Sequence, residues 1–195
     1  MDKNSREVRI EDFILHKKKI LNKEECTSII ASIDNLTTHK WVSYDMSSIE
    51  EEADPQYNSY NNYTLPSGKQ VNDYVINVVS EYVNAYSNNL LKINAISQGK
   101  IHVYNVGNNL DEHIDHIHDL FDGTNKGIPV LSFIINLNNE YTGGDFVFSF
   151  PGQDKKIAYK MDIGDCILFP SNFIFKHSVS PIISGTRYSL IKWLW

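Results

Sequence analysis

Apolar positions change their period along the chain. In "NKEECTSIIASIDNL" (22–36), Cys26, Ile29, Ile30 and Ile33 recur at helical spacing, which predicts a helix with one apolar face. Asn22 stands at its start with Glu25 three residues on, the arrangement of a capping box with Asn in place of Ser or Thr. A second helix is predicted over 69–91, with a stripe of Val71, Tyr74, Val75, Val78, Val79, Tyr82 and Val83. After residue 93 the period shortens. "KIHVYNV", "VLSFIINL", "DFVFSF", "KKIAYKM", "DCILF", "HSVSPI" and "RYSLIKWLW" are β-type runs, punctuated by "TGG", "PGQD", "IGD", "PSN" and "SG". Many short strands after two helices predict a mainly β fold with N-terminal helices, its core a sandwich or barrel. Residues 41–68 lie between the helices. They are poor in aliphatics and rich in Asn, Ser and Tyr, and read as loop with a strand at the start.

Composition narrows this picture only slightly. The 195 residues suit one domain, with 1–95 as helical support and loop and 96–195 as the core. A net charge of −6 argues against a broad nucleic-acid surface. The dense basic run, "HKKKI" at 16–20, reads as a solvated face or loop. Cys26 and Cys166 read as two buried free thiols. The polar start and the lack of any run near the roughly 20 apolar residues of a membrane span predict a cytoplasmic protein with no membrane partner.

The chemistry concentrates in "DEHIDHIHDLF" (111–121), which holds three of the seven histidines. Residues i and i+2 of a strand share a face, so His113 and Asp115 can supply two ligands from one strand. His116 and His118 alternate away from Asp115. Iron held by two histidines and one carboxylate needs one more histidine and leaves positions open. Among His16, His39, His102 and His177, the last stands out: it follows a strand, turn and strand, and precedes Arg187 by ten residues with "SG" between. A hairpin there brings a guanidinium near the metal, as a dicarboxylate co-substrate requires.

In this order, "YNVGNNLDEHID" (104–115), "LSFIINLN" (131–138), "GGDFVF" (143–148), "GDCILFPS" (164–171), "HSVSPI" (177–182) and "TRYSLIKW" (186–193) resemble the prolyl 4-hydroxylase-like branch of the Fe(II)/2-oxoglutarate-dependent dioxygenases. The resemblance covers about residues 100–195. It implies a double-stranded β-helix, or jelly roll, with the metal at its mouth. It makes His113, Asp115 and His177 the iron ligands, and Arg187 the partner of the distal carboxylate of 2-oxoglutarate. Tyr104 becomes a hydrogen-bond donor to the co-substrate. Asn136 occupies a position where relatives often carry tyrosine or another polar residue near that carboxylate. His116 and His118 become bystanders, or at most groups on the substrate side. By strand alternation Arg187, Ser189, Ile191 and Trp193 share a face, which places Trp193 deeper beside the pocket.

The implied cofactors are Fe(II), 2-oxoglutarate and O2, with ascorbate as an optional addition. The implied reaction is hydroxylation of prolyl residues in a peptide or protein, with release of succinate and CO2. Halogenating relatives lack the carboxylate ligand, so Asp115 favours hydroxylation. The same chemistry on a small molecule, an amino acid or a nucleic-acid base is the alternative, and a non-catalytic jelly-roll binding module is a third reading. Tyr57, Tyr60 and Tyr63 in 41–68 suit a lid over a proline-containing peptide.

Overall fold

The computed structural model describes residues 7–33, 58–61, 68–88, 90–97, 99–116 and 128–195, with backbone alone at 58–61 and 68–69. A 3-10 turn, Ile10–Phe13, leads into strand β1, Leu15–Lys17. Helix α1 spans Lys23–Ala31, and its start is the capping box the sequence predicts: Asn22 Oδ1 accepts from the Glu25 amide at 2.9 Å, and Glu25 accepts from the Asn22 amide at 2.7 Å. Strand β2 is Asn58–Asn61, and helix α2 is Gly68–Ser87. The strands that follow are β3 Lys100–Tyr104, β4 Leu110–His113, β5 Leu131–Asn136, β6 Tyr141–Gly143 and β7 Phe146–Ser149. The last are β8 Ile157–Tyr159, β9 Cys166–Pro170, β10 Lys176–Val179, β11 Ile182–Gly185 and β12 Arg187–Leu194.

Among the described residues the strands form a larger antiparallel sheet in the order β1-β9-β5-β12-β3-β2 and a smaller one, β4-β10-β7-β8, with β11 paired to β6. The larger sheet is covered on both faces, so β5 has no exposed position and its sequence, "LSFIIN", is mostly apolar, with Ser132 and Asn136 the buried polar residues. One face carries Phe133, Ile135, Leu168, Leu190 and Leu194 against Cys26 and Ile29 of α1 and Val71, Val75, Val78, Val79 and Tyr82 of α2. The other face carries Ile134, Phe169, Ile191 and Trp193 against Phe146, Phe148 and Val179 of the smaller sheet. Burial of these two apolar layers is the main stabilising term. The site forms in the second layer, between the sheets.

The front of the chain is more than helical support, because it contributes β1 and β2 to the larger sheet. "HKKKI" is therefore not a free solvated run. Its first two residues pair with β9, and Asp165 organises the rest, accepting from Lys18 Nζ at 2.8 Å and from the Lys19 amide at 3.1 Å. Asp165 is fully buried and also accepts from the Asp162 amide, so it does more than shape its turn. Gly164 lets the chain pass close by: its φ is +75°, and a β-carbon there would meet the Leu21 carbonyl oxygen at 1.9 Å. Within 41–68, the strand expected at the start falls outside the described residues, and a strand is found at 58–61. The lid expectation for Tyr57 and Tyr63, and for the side chain of Tyr60, also lies outside them.

Cys26 and Cys166 are both buried and free, and burial pushes both thiols up to about 12. Among the described residues no helix is long and apolar enough to cross a membrane.

Candidate metal and co-substrate site

Strand pairing brings two distant histidines together. In the β4–β10 ladder His177 stands directly opposite His113, so their side chains share a face and the rings lie 4.2 Å apart. Each ring is oriented by a main-chain carbonyl: His113 Nδ1 lies 2.8 Å from Asp111 O, and His177 Nδ1 lies 3.1 Å from Phe175 O. A carbonyl only accepts, so both Nδ1 atoms carry the proton and both Nε2 lone pairs are available for a metal. His177 is further packed by Phe146, stacked at 5.0 Å, and by Phe169 at 4.9 Å.

Asp115 reaches the same point by a different route than expected. β4 ends at His113, and Asp115 lies two residues beyond it in a bend. Its Oδ1 still lies 3.4 Å from His113 Nε2 and 3.8 Å from His177 Nε2. One ligand atom from each of His113, Asp115 and His177 falls within 4.8 Å of the others, so the three could hold a metal ion. Two neutral imidazoles and one carboxylate suit Fe(II), which takes mixed nitrogen and oxygen donors with positions left open.

The electrostatics of Asp115 and His177 agree with this donor set. Burial alone would raise the Asp115 carboxyl, but His177, His113 and the Ser132 hydroxyl hold it well below the usual carboxylate range. Burial, reinforced by His113, pushes His177 down to about 4, so it is neutral near pH 7. Burial also acts to lower His113, but its contact with Asp115 outweighs this and raises it, so a metal ion binding there would displace the proton His113 shares with Asp115.

A cavity of about 110 Å³ opens from this cluster into the jelly roll. It is bounded by Tyr104, Arg187, Ser189 and Trp193, with His102 beside them. β12 alternates Arg187, Ser189, Ile191 and Trp193 toward it, as the sequence predicts. Arg187 is 1% exposed, and its guanidinium lies over the Tyr104 ring at 5.4 Å. Arg187 Nε and Trp193 Nε1 have no hydrogen-bond partner among the described residues. A buried guanidinium with an unmade hydrogen bond, facing a cavity beside a cationic site, suits a carboxylate ligand. Gly144 closes over it: a β-carbon there would lie 3.1 Å from Arg187 Cδ and 2.5 Å from Ile182 Cδ1.

Asn136 differs from expectation. Register puts it opposite Ser189, on the cavity face, but it is not among the residues lining the cavity. Its Nδ2 donates to the carbonyls of Asn138 and Met161, and its Oδ1 accepts from the Tyr141 hydroxyl at 3.1 Å. Those bonds turn the amide toward the β5–β6 connection. His116 is exposed, and His118 lies outside the described residues.

Sequence reasoning passed over His102, although alternation in "HVY" puts it on the face of Tyr104, whose hydroxyl lies 3.3 Å from its Nδ1. Burial, with the charges of Lys100 and Arg187, lowers His102 well below 6.5. An imidazole held neutral in the folded chain takes its proton only on unfolding. Its contribution is present above pH 6.5 and is lost as pH falls below that value. His102 should therefore steepen the acid loss of stability by up to about 1.4 kcal/mol per pH unit. Thermal midpoints of the wild type and His102→Gln between pH 7 and pH 5 test this. Parallel curves would show that His102 is not held neutral.

A jelly roll with two histidines, one carboxylate and a buried arginine around one cavity is the arrangement of a metal-dependent oxygenase. Residues 99–195 match the family model described as the 2OG-Fe(II) oxygenase superfamily, and this segment of the chain belongs to that superfamily. Its cofactors are thus Fe(II) and 2-oxoglutarate, with O2 as oxidant.

Solved structures share the fold at low identity. A prolyl hydroxylase from Trichoplax adhaerens, in complex with a hypoxia inducible factor oxygen degradation domain peptide fragment, has a TM-score of 0.68 at 15% identity, over 94% of this chain and 83% of that one. The viral collagen prolyl hydroxylase of Paramecium Bursaria Chlorella virus-1, as its 2-oxoglutarate complex, has a TM-score of 0.61 at 18% identity, over 93% and 94%. HygX from Streptomyces hygroscopicus, with nickel, 2-oxoglutarate and hygromycin B bound, has a TM-score of 0.64 at 14% identity, over 95% and 84%. No curated protein sequence matches the chain.

Proposed function

We propose that this oxygenase hydroxylates prolyl residues in a peptide or protein, converting 2-oxoglutarate to succinate and CO2. The observation that carries the reading is the buried Arg187 sharing a small cavity with the His113–Asp115–His177 cluster. His113, Asp115 and His177 would hold Fe(II), with both histidines presented through Nε2. Arg187 would take the distal carboxylate of 2-oxoglutarate through its fork of donors. Tyr104, beneath that guanidinium, would orient the co-substrate with its hydroxyl. Phe146, Ile134, Ile191 and Val179 form an apolar wall that excludes water from the reacting groups. The chemistry supplied by the bound metal, co-substrate and oxygen is replacement of a substrate C–H by C–OH.

A peptide substrate is supported by the fold likeness to a prolyl hydroxylase that holds a peptide. A small-molecule substrate is the second reading, favoured by the comparable likeness to HygX with hygromycin B bound. The test incubates the chain with Fe(II), 2-oxoglutarate and panels of proline-containing peptides and small molecules, and reads succinate and a mass gain of one oxygen. Peptide hydroxylation on proline is the expected result. Oxygen gain confined to small molecules would replace the prolyl reading and keep the oxygenase. No succinate under any condition would leave a binding module.

A further inference from the structure

Asp115 lies in a bend beyond the end of β4, outside the register of the β4–β10 ladder. A buried serine from the opposite sheet reaches it, backed by a second. Ser132 Oγ of β5 lies 2.6 Å from Asp115 Oδ2, and Ser171 Oγ, just after β9, lies 2.7 Å from Ser132 Oγ. Ser132 and Ser171 are 0% and 1% exposed. An ionised carboxylate only accepts, so the single hydroxyl proton of Ser132 goes to Asp115. Ser171 must then donate to Ser132. The direction of both bonds follows, and both polarise toward the carboxylate. Oδ2 is occupied, while Oδ1 is the oxygen that faces the two imidazoles.

We propose that Ser171 and Ser132 form a hydroxyl relay that holds Asp115 as a one-oxygen metal ligand, spanning the gap between the two sheets. The inference rests on the metal-site reading above. Ser132 and Ser171 are positioning residues: they fix which oxygen is offered and keep the second from chelating.

The experiment measures Mn(II) affinity of the full chain by calorimetry, the visible absorption of its Co(II) form, and the thermal midpoint without metal. Wild type should bind one Mn(II), and His177→Ala should lose it. Ser132→Ala should weaken binding by about 10- to 100-fold, the usual effect of removing a hydrogen-bond partner of a ligand. Ser171→Ala should weaken it by about two- to tenfold, the worth of one neutral hydrogen bond. In Co(II)-substituted Ser132→Ala the visible spectrum should change, because a carboxylate freed to bind through both oxygens alters the ligand geometry. Wild-type Mn(II) affinity and Co(II) absorption in both serine variants would overturn the relay and leave the metal site standing. So would a lowered thermal midpoint with unchanged affinity, since that marks a purely structural role. If Ser132→Ala does not fold, the same two criteria applied to Ser171→Ala decide. Failure of the wild type to bind Mn(II) would overturn the site and the relay together.

Discussion

Alanine at His113, Asp115 or His177 is expected to reduce succinate formation by at least about 10³-fold, while alanine at His116 leaves it within about twofold. The metal accounts for several kcal/mol of barrier lowering, and each 1.36 kcal/mol is tenfold in rate. The three residues share one point in space, with ligand atoms within 4.8 Å of one another, whereas His116, the residue after Asp115, is exposed. Each variant also removes something different. His113→Ala opens the rim, and His177→Ala empties a space walled by Phe146 and Phe169. Asp115→Ala leaves the Ser132 hydroxyl without its acceptor. Circular dichroism of each variant separates these losses from unfolding, so that lost turnover in folded protein is read as lost metal. Equal loss in His116→Ala would mean that the bend after β4 presents a different face to the cavity than the one described.

Much of this site was legible because it lies on regular strands. Alternation placed Arg187, Ser189, Ile191 and Trp193 on one face, and the cavity is lined by all four. The capping box of α1 and the stripe of α2 were equally readable, since both are local patterns. What escaped reading is tertiary. β1 and β2 are too short and too polar to announce themselves, and only pairing with β9 and β3 makes them strands. The pairing of His113 with His177 depends on a ladder between residues 64 positions apart. Alternation also assumed a strand through Asp115, where the chain bends. Ser132 and Ser171 looked like ordinary β-sheet and turn residues; only the approach of the two sheets gives them a carboxylate to serve. Asn136 lies on the cavity face of β5, while nearby carbonyls and Tyr141 take up its amide, which a sequence pattern does not show.

Arg187→Ala is expected to raise the 2-oxoglutarate concentration needed for half-maximal turnover by roughly 10²–10³-fold or more. Breaking a buried ion pair at one end costs about 3–5 kcal/mol, because the remaining charge stays desolvated without a partner. The conditions for that cost are met here. Arg187 is 1% exposed, its Nε lacks a partner among the described residues, and Gly144 packs against its stem. Water cannot easily take the place of the guanidinium beside the Tyr104 ring. Metal affinity should be nearly unchanged, since Arg187 opens β12 while the candidate ligands lie on β4, on β10 and in the bend. Arg187→Lys should recover only part of the loss: it restores one positive charge but not the planar fork that holds both carboxylate oxygens. Titration of 2-oxoglutarate at saturating Fe(II), with Mn(II) affinity measured in parallel, separates these effects. An unchanged 2-oxoglutarate requirement in Arg187→Ala would remove this residue from the co-substrate site. A parallel loss of Mn(II) binding would show instead that Arg187 supports the metal cluster rather than the dicarboxylate.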